Sequence, residues 1–104
     1  MVQLIWTTPA RQDMEELFRH YDAISHKTAA MYMEVFLEAA GNLVQIPEAG
    51  PKEPLLAHHK RNYRYHVVLR RYKLIYLYEN NTCYILMIWD CRRNPQTLKT
   101  DKRF

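Results

Sequence analysis

Basic side chains recur among tyrosines and branched aliphatic residues between residues 64 and 95, and they are the strongest candidates for chemistry in this sequence. Lys and Arg neutralise phosphates, and they can stabilise the charge that develops when a ribose 2′-hydroxyl attacks the neighbouring phosphate. His66 adds an imidazole, a side chain that exchanges protons near neutral pH. The pattern indicates an anionic target, although an ordinary solvated basic surface would account for the same residues. The array consists of Arg64, His66, Arg70, Arg71, Lys73, Arg92 and Arg93.

Other kinds of catalytic or cofactor site find no support in the sequence. His58 and His59 are adjacent in a predicted loop, with no partners at the spacing of a metal site. The two glycines of the chain cannot form the Gly-rich loop that cradles a nucleotide phosphate. Cys83 and Cys91 lie on one predicted strand at a separation of roughly 26 Å, so we expect two reduced thiols rather than a disulfide. We therefore expect no metal and no other cofactor.

The size and charge of the chain restrict its class. Its 104 residues suffice for one domain, residues 1–104, and 48% of them are hydrophobic, which is enough for a folded core. The net charge is +4, and basic residues accumulate after residue 60, which indicates a nucleic acid or an acidic protein as the partner of the second half. No segment has the roughly 20 apolar residues of a membrane span, and the start "MVQLIWTT" lacks the features of a secretory signal. We expect a cytoplasmic protein without membrane contact.

The elements that must position these residues begin with a strand and two helices. The strand "VQLIW" is followed by Thr8, placed to cap a helix, and by Pro9, which suits the first helical position. Apolar residues at helical spacing then predict a helix to about residue 24. Ser25 can cap a second helix, whose apolar stripe continues to Leu43. Because the join between the helices is short, the two should form an antiparallel hairpin.

Alternating and apolar runs predict strands in the second half of the chain, over residues 63–69, 72–78 and 82–89. Asn80-Asn81 is a plausible two-residue turn, because Asn tolerates positive φ. The segment "PEAGPKEP" is typical of a loop, and "LLAHHKRN" after it is an unassigned connector. The order of elements predicts an α+β domain whose helical hairpin covers one face of the sheet. The other face should stay partly open, with Arg64 and His66 pointing towards it.

Three segments together resemble the RelE/ParE superfamily of bacterial toxins, the toxin halves of type II toxin–antitoxin pairs. They are "IWTTPARQDMEELFRHY", "LVQIPEAGP" and "YRYHVVLRRYKLIYLYENNTCYILMIWDCRRNP", and the likeness extends to about Leu98. The resemblance implies an N-terminal strand and an antiparallel helical hairpin packed on a mainly antiparallel β-sheet. It also implies a cognate acidic antitoxin, whose C-terminal segment wraps over the hairpin and sheet. Contact with operator DNA would occur only through that antitoxin.

The superfamily implies two mechanisms for such a toxin. RelE-like members cut messenger RNA on the ribosome with basic residues of the sheet, and Arg64, His66, Lys73 and Arg92 stand at the corresponding positions. On that mechanism these four residues are catalytic, and three further residues bind RNA, namely Arg70, Arg71 and Arg93. Relatives often carry a late Tyr where this chain has Leu98. ParE-like members instead bind and poison DNA gyrase without a catalytic site.

The positional match of the basic cluster favours the ribosome-dependent endoribonuclease, or mRNA interferase. Two alternatives remain open. One is a ParE-like inhibitor of DNA gyrase without catalytic activity. The other is an inactive toxin that serves as an antitoxin-bound co-repressor, which the absence of the late Tyr would explain. The ribonuclease would have the ribosome and messenger RNA as partners, and the inhibitor would have gyrase.

Overall fold

The chain forms a four-stranded sheet that carries a helical hairpin on one face, and the computed structural model describes all residues, Met1–Phe104. The first strand, β1 (Gln3–Trp6), runs parallel to β4 (Thr82–Asp90). The remaining neighbours are antiparallel, and the order is β1-β4-β3-β2, where β2 is Arg64–Val68 and β3 is Tyr72–Glu79. The predicted α+β fold is therefore confirmed. None of the helices combines the length and apolar character needed to cross a membrane. The elements are β1 Gln3–Trp6, α1 Thr8–Asp22, α2 His26–Leu43, a 3₁₀ turn Pro54–Leu56, β2 Arg64–Val68, β3 Tyr72–Glu79, β4 Thr82–Asp90 and α3 Pro95–Lys99.

The helices begin close to where their capping residues predict. Ser25 caps α2, as predicted, and its Oγ accepts a hydrogen bond from Thr28 N at 3.2 Å. The first cap is Thr7 rather than Thr8, because Thr7 has extended backbone angles while Thr8 is already helical. Thr7 Oγ1 accepts from Ala10 N and donates to the carbonyl of Ile85 at 2.8 Å. The cap therefore also fastens the start of α1 to β4.

Both faces of the sheet are covered, so the prediction of a partly open second face is wrong. The face under the helical hairpin buries Phe36, Leu74 and Tyr76 completely. The opposite face is covered by the 3₁₀ turn, α3 and the C-terminal residue, which together form a second core. The buried members of that core are Leu56, Tyr63, Ile75, Leu77, Met87, Trp89 and Leu98, with Phe104 packed against them.

Strand β2 also presents its side chains differently from the prediction. Arg64 pairs with Tyr76, and His66 pairs with Leu74, in the antiparallel register of β2 and β3. Directly opposed residues share a face of a sheet, and Tyr76 and Leu74 belong to the core under the hairpin. Arg64 and His66 therefore lie on the hairpin side, at the margin of the sheet, instead of on the second face.

An ion pair occupies the part of β4 that β1 leaves unpaired. Strand β1 ends opposite Ile85, and beyond it the backbone N–H of Ile88 donates to Asp13 Oδ2 at 3.0 Å. Arg103 binds the same carboxylate through both Nη atoms, at 2.6 and 3.0 Å, and donates to the carbonyl of Leu86 at 3.1 Å. Asp13 and Arg103 thus satisfy backbone groups that no neighbouring strand reaches.

Candidate functional site

The Arg64 guanidinium is bound within the protein. Its Nη1 donates to the carbonyl of Glu48 at 3.0 Å and to the carbonyl of Gly50 at 2.7 Å. These bonds hold the loop after α2 against β2. The same loop is fixed from its other side by Tyr76, whose hydroxyl donates to Pro47 O at 2.9 Å and accepts from Gly50 N at 3.1 Å. Arg64 therefore stabilises a loop and does not present a free cation.

Lys73 forms an ion pair with Glu53, which sequence reasoning missed. Lys73 Nζ lies 2.7 Å from Glu53 Oε1, and the Glu53 residue is only 1% exposed. Leu55 N donates to the other carboxylate oxygen at 3.1 Å, and the Lys73 ammonium lies 4.3 Å from the centre of the Tyr65 ring. No periodic pattern marks Glu53, because it lies between two prolines in a loop. Lys73 acts as the counter-ion of a buried carboxylate.

Arg92 is paired with Asp90, which lies two residues before it. Arg92 Nη2 donates to Oδ2 at 2.8 Å, Nε donates to Oδ1 at 3.2 Å, and the Arg92 backbone N–H also reaches Oδ1 at 3.0 Å. These hydrogen bonds, together with the charges of Arg92 and Arg71, lower the pKa of Asp90 below its ordinary value of 3.8. The pair is local, and the Arg92 side chain is 65% exposed, so Arg92 can exchange its partner more readily than Lys73 can.

Replacement of Arg92 by alanine should raise the pKa of Asp90 towards its ordinary value, because the hydrogen bonds from Arg92 are the main cause of the lowering. Since the folded-state pKa lies below the unfolded value, this interaction stabilises the fold above about pH 3.8 and is lost as the pH falls through the folded-state pKa. A carboxyl NMR titration of both proteins measures the shift directly. An unchanged Asp90 titration in the Arg92→Ala variant would show that another group determines the pKa.

His66 is the one predicted catalytic side chain that is exposed and without an ionic partner. It borders a groove of about 440 Å³ between the end of α2 and strand β2. The other lining residues carry no charge, so none of them supplies a cation for a developing oxyanion. These neighbours are Asn42, Leu43, Ile46, Ala49, Gly50, Pro51, Tyr65 and Val67.

The four predicted catalytic residues do not converge on one point. Lys73 lies on the face opposite Arg64 and His66, because its neighbours along β2 and β3 alternate in direction. Arg64 pairs with Tyr76, whereas Asp90, the partner of Arg92, pairs with Tyr72 four residues away along β3, a separation of about 13 Å. The array seen in the sequence is therefore distributed over both faces and both ends of the sheet.

The three residues predicted to bind RNA behave differently, because none of them has a carboxylate within ion-pair distance. Arg70 is exposed in the turn between β2 and β3. Arg93 follows β4, and its guanidinium carbon lies 4.6 Å from the centre of the Trp89 ring. Cys91 N donates to Arg71 O at 2.8 Å, which brings the two segments together at one end of the sheet. We call Arg70, Arg71 and Arg93 the arginine end.

Arg71 is held against two tyrosines. Its guanidinium carbon lies 5.3 Å from the centre of the Tyr72 ring and 6.0 Å from that of Tyr21, and its Nε is buried without a hydrogen-bond partner. The two tyrosine hydroxyls are 2.6 Å apart. Burial and this hydrogen bond raise the pKa of Tyr72. Tyr72 therefore stays neutral, and Arg71 has no carboxylate within ion-pair distance.

Neither the cysteines nor the histidine pair forms a reactive centre. Cys83 and Cys91 are both free thiols, and burial raises the pKa of each, which disfavours the nucleophilic thiolate. His59 packs against the rings of Tyr63 and Phe104. No three His, Cys, Asp or Glu side chains come together as a potential metal site.

Comparisons with known proteins give one family and one fold. The family model described as ParE toxin of type II toxin-antitoxin system, parDE, matches residues 4–95. A solved structure described as the chromosomal ParDE TA system from P. aeruginosa matches with a TM-score of 0.72 and 21% sequence identity, over 86% of this chain and 96% of that chain. At that identity the structural match shows the fold. Comparison with curated protein sequences finds no match.

Proposed function

Because the chain belongs to the ParE toxin family of type II toxin–antitoxin systems, we propose that it acts by binding and inhibiting DNA gyrase, without a catalytic site of its own. The observation that carries this proposal is the engagement of Arg64, Lys73 and Arg92 with partners inside the protein. Stabilisation of a phosphoryl transition state requires donors aimed at the developing charge. Cations that are bonded elsewhere, on different faces of the sheet, do not meet that requirement.

The ribosome-dependent endoribonuclease favoured by the sequence is the competing proposal. One observation supports it, the exposure of His66 beside an open groove. An imidazole there could carry a proton, but none of the lining residues is a cation, and the nearby Arg64 is bonded to the carbonyls of Glu48 and Gly50. The third possibility, an inactive co-repressor, predicts no toxicity at all.

A cognate antitoxin is proposed to neutralise the toxin at the helical hairpin. A groove of about 500 Å³ between β1 and the hairpin is lined mainly by apolar side chains, among them Ile5 and Leu37, which are 40% and 55% exposed. Met31 and Ile24 add exposed apolar surface on the same hairpin. Exposed apolar patches of this kind mark protein interfaces. The net charge of +4 favours an acidic antitoxin, and operator DNA would be bound through that antitoxin.

The test is expression of the chain in bacteria without its antitoxin, combined with a supercoiling assay on purified gyrase. We expect growth arrest, an active DNA-damage response, intact messenger RNAs and inhibition of supercoiling. The His66→Ala variant should retain all of these effects. Cuts within translated messages that disappear in His66→Ala would instead establish the ribonuclease, and unimpaired growth would support the inactive co-repressor.

A further inference from the structure

We infer that the arginine end binds the phosphate backbone of double-stranded DNA, so that the toxin contacts both the enzyme and the DNA of a gyrase–DNA complex. This inference rests on the proposed function, and it adds a nucleic-acid contact made by the toxin itself. The main support for it is that Arg70, Arg71 and Arg93 border one end of the sheet and have no carboxylate partners. Of the acidic side chains whose charge reaches Cys91 at this end, Asp90 is already bound by Arg92, and Glu53 is bound by Lys73.

The arrangement suits a continuous polyanion. Arg71 lies on the hairpin side of the sheet, over Tyr72, whereas Arg93 lies over Trp89, which belongs to the second core. Arg70 lies between them, in the turn that connects β2 and β3. A duplex backbone presents phosphates at short, regular intervals, so guanidinium groups on both sides of the sheet can each meet one. An acidic protein would need carboxylates at three matching positions.

The aromatic rings at this end distinguish duplex DNA from single-stranded RNA. Proteins that recognise single strands stack bases on exposed aromatic side chains. Here Tyr21, Tyr72 and Trp89 are 7%, 3% and 2% exposed, so their faces are covered by protein and by the arginines. The rings lie beneath the guanidinium groups of Arg71 and Arg93, and guanidinium groups match the bidentate geometry of phosphate. Backbone binding without base stacking is therefore the chemistry available.

Backbone strain in the turn between β2 and β3 supports a functional role for the arginine end. Leu69 and Arg70 have φ values of 56° and 60°, in the left-handed region that favours glycine and asparagine. The turn between β3 and β4 has the same geometry but uses Asn80 and Asn81, residues that tolerate it. Strained residues concentrate at functional sites. The strained conformation of Leu69 and Arg70 is explained if the turn serves to present the exposed Arg70 side chain.

The experiment measures binding of labelled duplex DNA to the purified full chain by fluorescence anisotropy, as a function of salt. The test variant is Arg70→Gln/Arg93→Gln. The matched control is Arg11→Gln/Arg19→Gln, which removes the same charge from two exposed residues of α1 that also lack ion pairs. We expect the test variant to bind at least roughly tenfold more weakly at low salt, with a salt slope lower by about 2, while the control stays near the wild type.

Two further readouts separate this inference from the proposed function. Binding of the toxin to gyrase without DNA should be the same for wild type and test variant, whereas a loss would mean that the arginines contact protein and would overturn the inference. Equal losses in test and control variants, or tighter binding to single-stranded RNA than to duplex DNA, would also overturn it. If the wild type binds DNA through these arginines but does not inhibit gyrase, the gyrase proposal fails and the DNA surface stands.

Discussion

Replacement of Lys73 by methionine should lower the free energy of unfolding by about 3 to 5 kcal/mol, because it leaves a buried carboxylate without its cation. Glu53 is 1% exposed, and Lys73 Nζ lies 2.7 Å from its Oε1. A small domain has only about 5 to 15 kcal/mol of stability in total, so the variant should lose a large part of its stability. Urea denaturation gives the change as a lower midpoint at an unchanged slope.

Two further variants separate this electrostatic role from a catalytic one. Lys73→Met/Glu53→Leu should recover most of the lost stability, because it removes both charges together. Lys102→Met is the control, since Lys102 is exposed and makes no ion pair. A Lys73→Met protein that keeps its stability but loses toxicity would contradict the structural role and return Lys73 to the ribonuclease mechanism.

Replacement of Gly50 by alanine should destabilise the fold by about 3 kcal/mol, because the site has no room for a methyl group. An added Cβ would lie 2.3 Å from the Tyr76 hydroxyl and 2.7 Å from the carbonyl oxygen of Tyr65. The Tyr76 ring is fully buried, so it cannot move aside, and its hydroxyl would lose the hydrogen bonds that hold the loop at Pro47. Thermal and urea unfolding of the variant test this expectation.

Gly41 provides a matched comparison within the same chain. It lies in α2, and no atom is within 4 Å of the position that its Cβ would occupy. Gly41→Ala should therefore stabilise the protein, by up to about 1 kcal/mol, through helix propensity. If Gly50→Ala were as stable as Gly41→Ala, the loop would have to shift away from Tyr76, and the hydrogen bond between Gly50 and Tyr76 would be absent.

The sequence predicted elements well wherever periodicity reports burial directly. The stripe of α2 and the cap at Ser25 were found because a helix buries one side of a regular repeat. The face of the sheet on which Arg64 and His66 lie was predicted wrongly, because both faces of the sheet are covered. Alternation of Tyr65 and Val67 with Arg64 and His66 tells which residues share a face, but it does not tell which face lies under the helices.

The candidate site was predicted less well, for a related reason. The sequence identified the candidate cations, but it could not show which of them form ion pairs or hydrogen bonds within the protein. Glu53 lies twenty residues before Lys73, in a loop whose path depends on tertiary contacts. Asp90 and Arg92 are neighbouring opposite charges in "DCRRNP", but the sequence alone does not tell whether Asp90 binds Arg92 or Arg93.

The ion pair of Asp13 and Arg103 has a consequence for the toxin before any partner reaches it. An unpaired strand edge is a template on which another chain can add a strand, and proteins protect such edges against aggregation. Here the backbone of Leu86 and Ile88 is already bonded to the two charged side chains. These hydrogen bonds therefore protect the strand edge of the newly made toxin against edge-to-edge assembly. The ion pair joins Asp13 of the first helix to Arg103, 90 residues later, so it forms only after Arg103 has been synthesised.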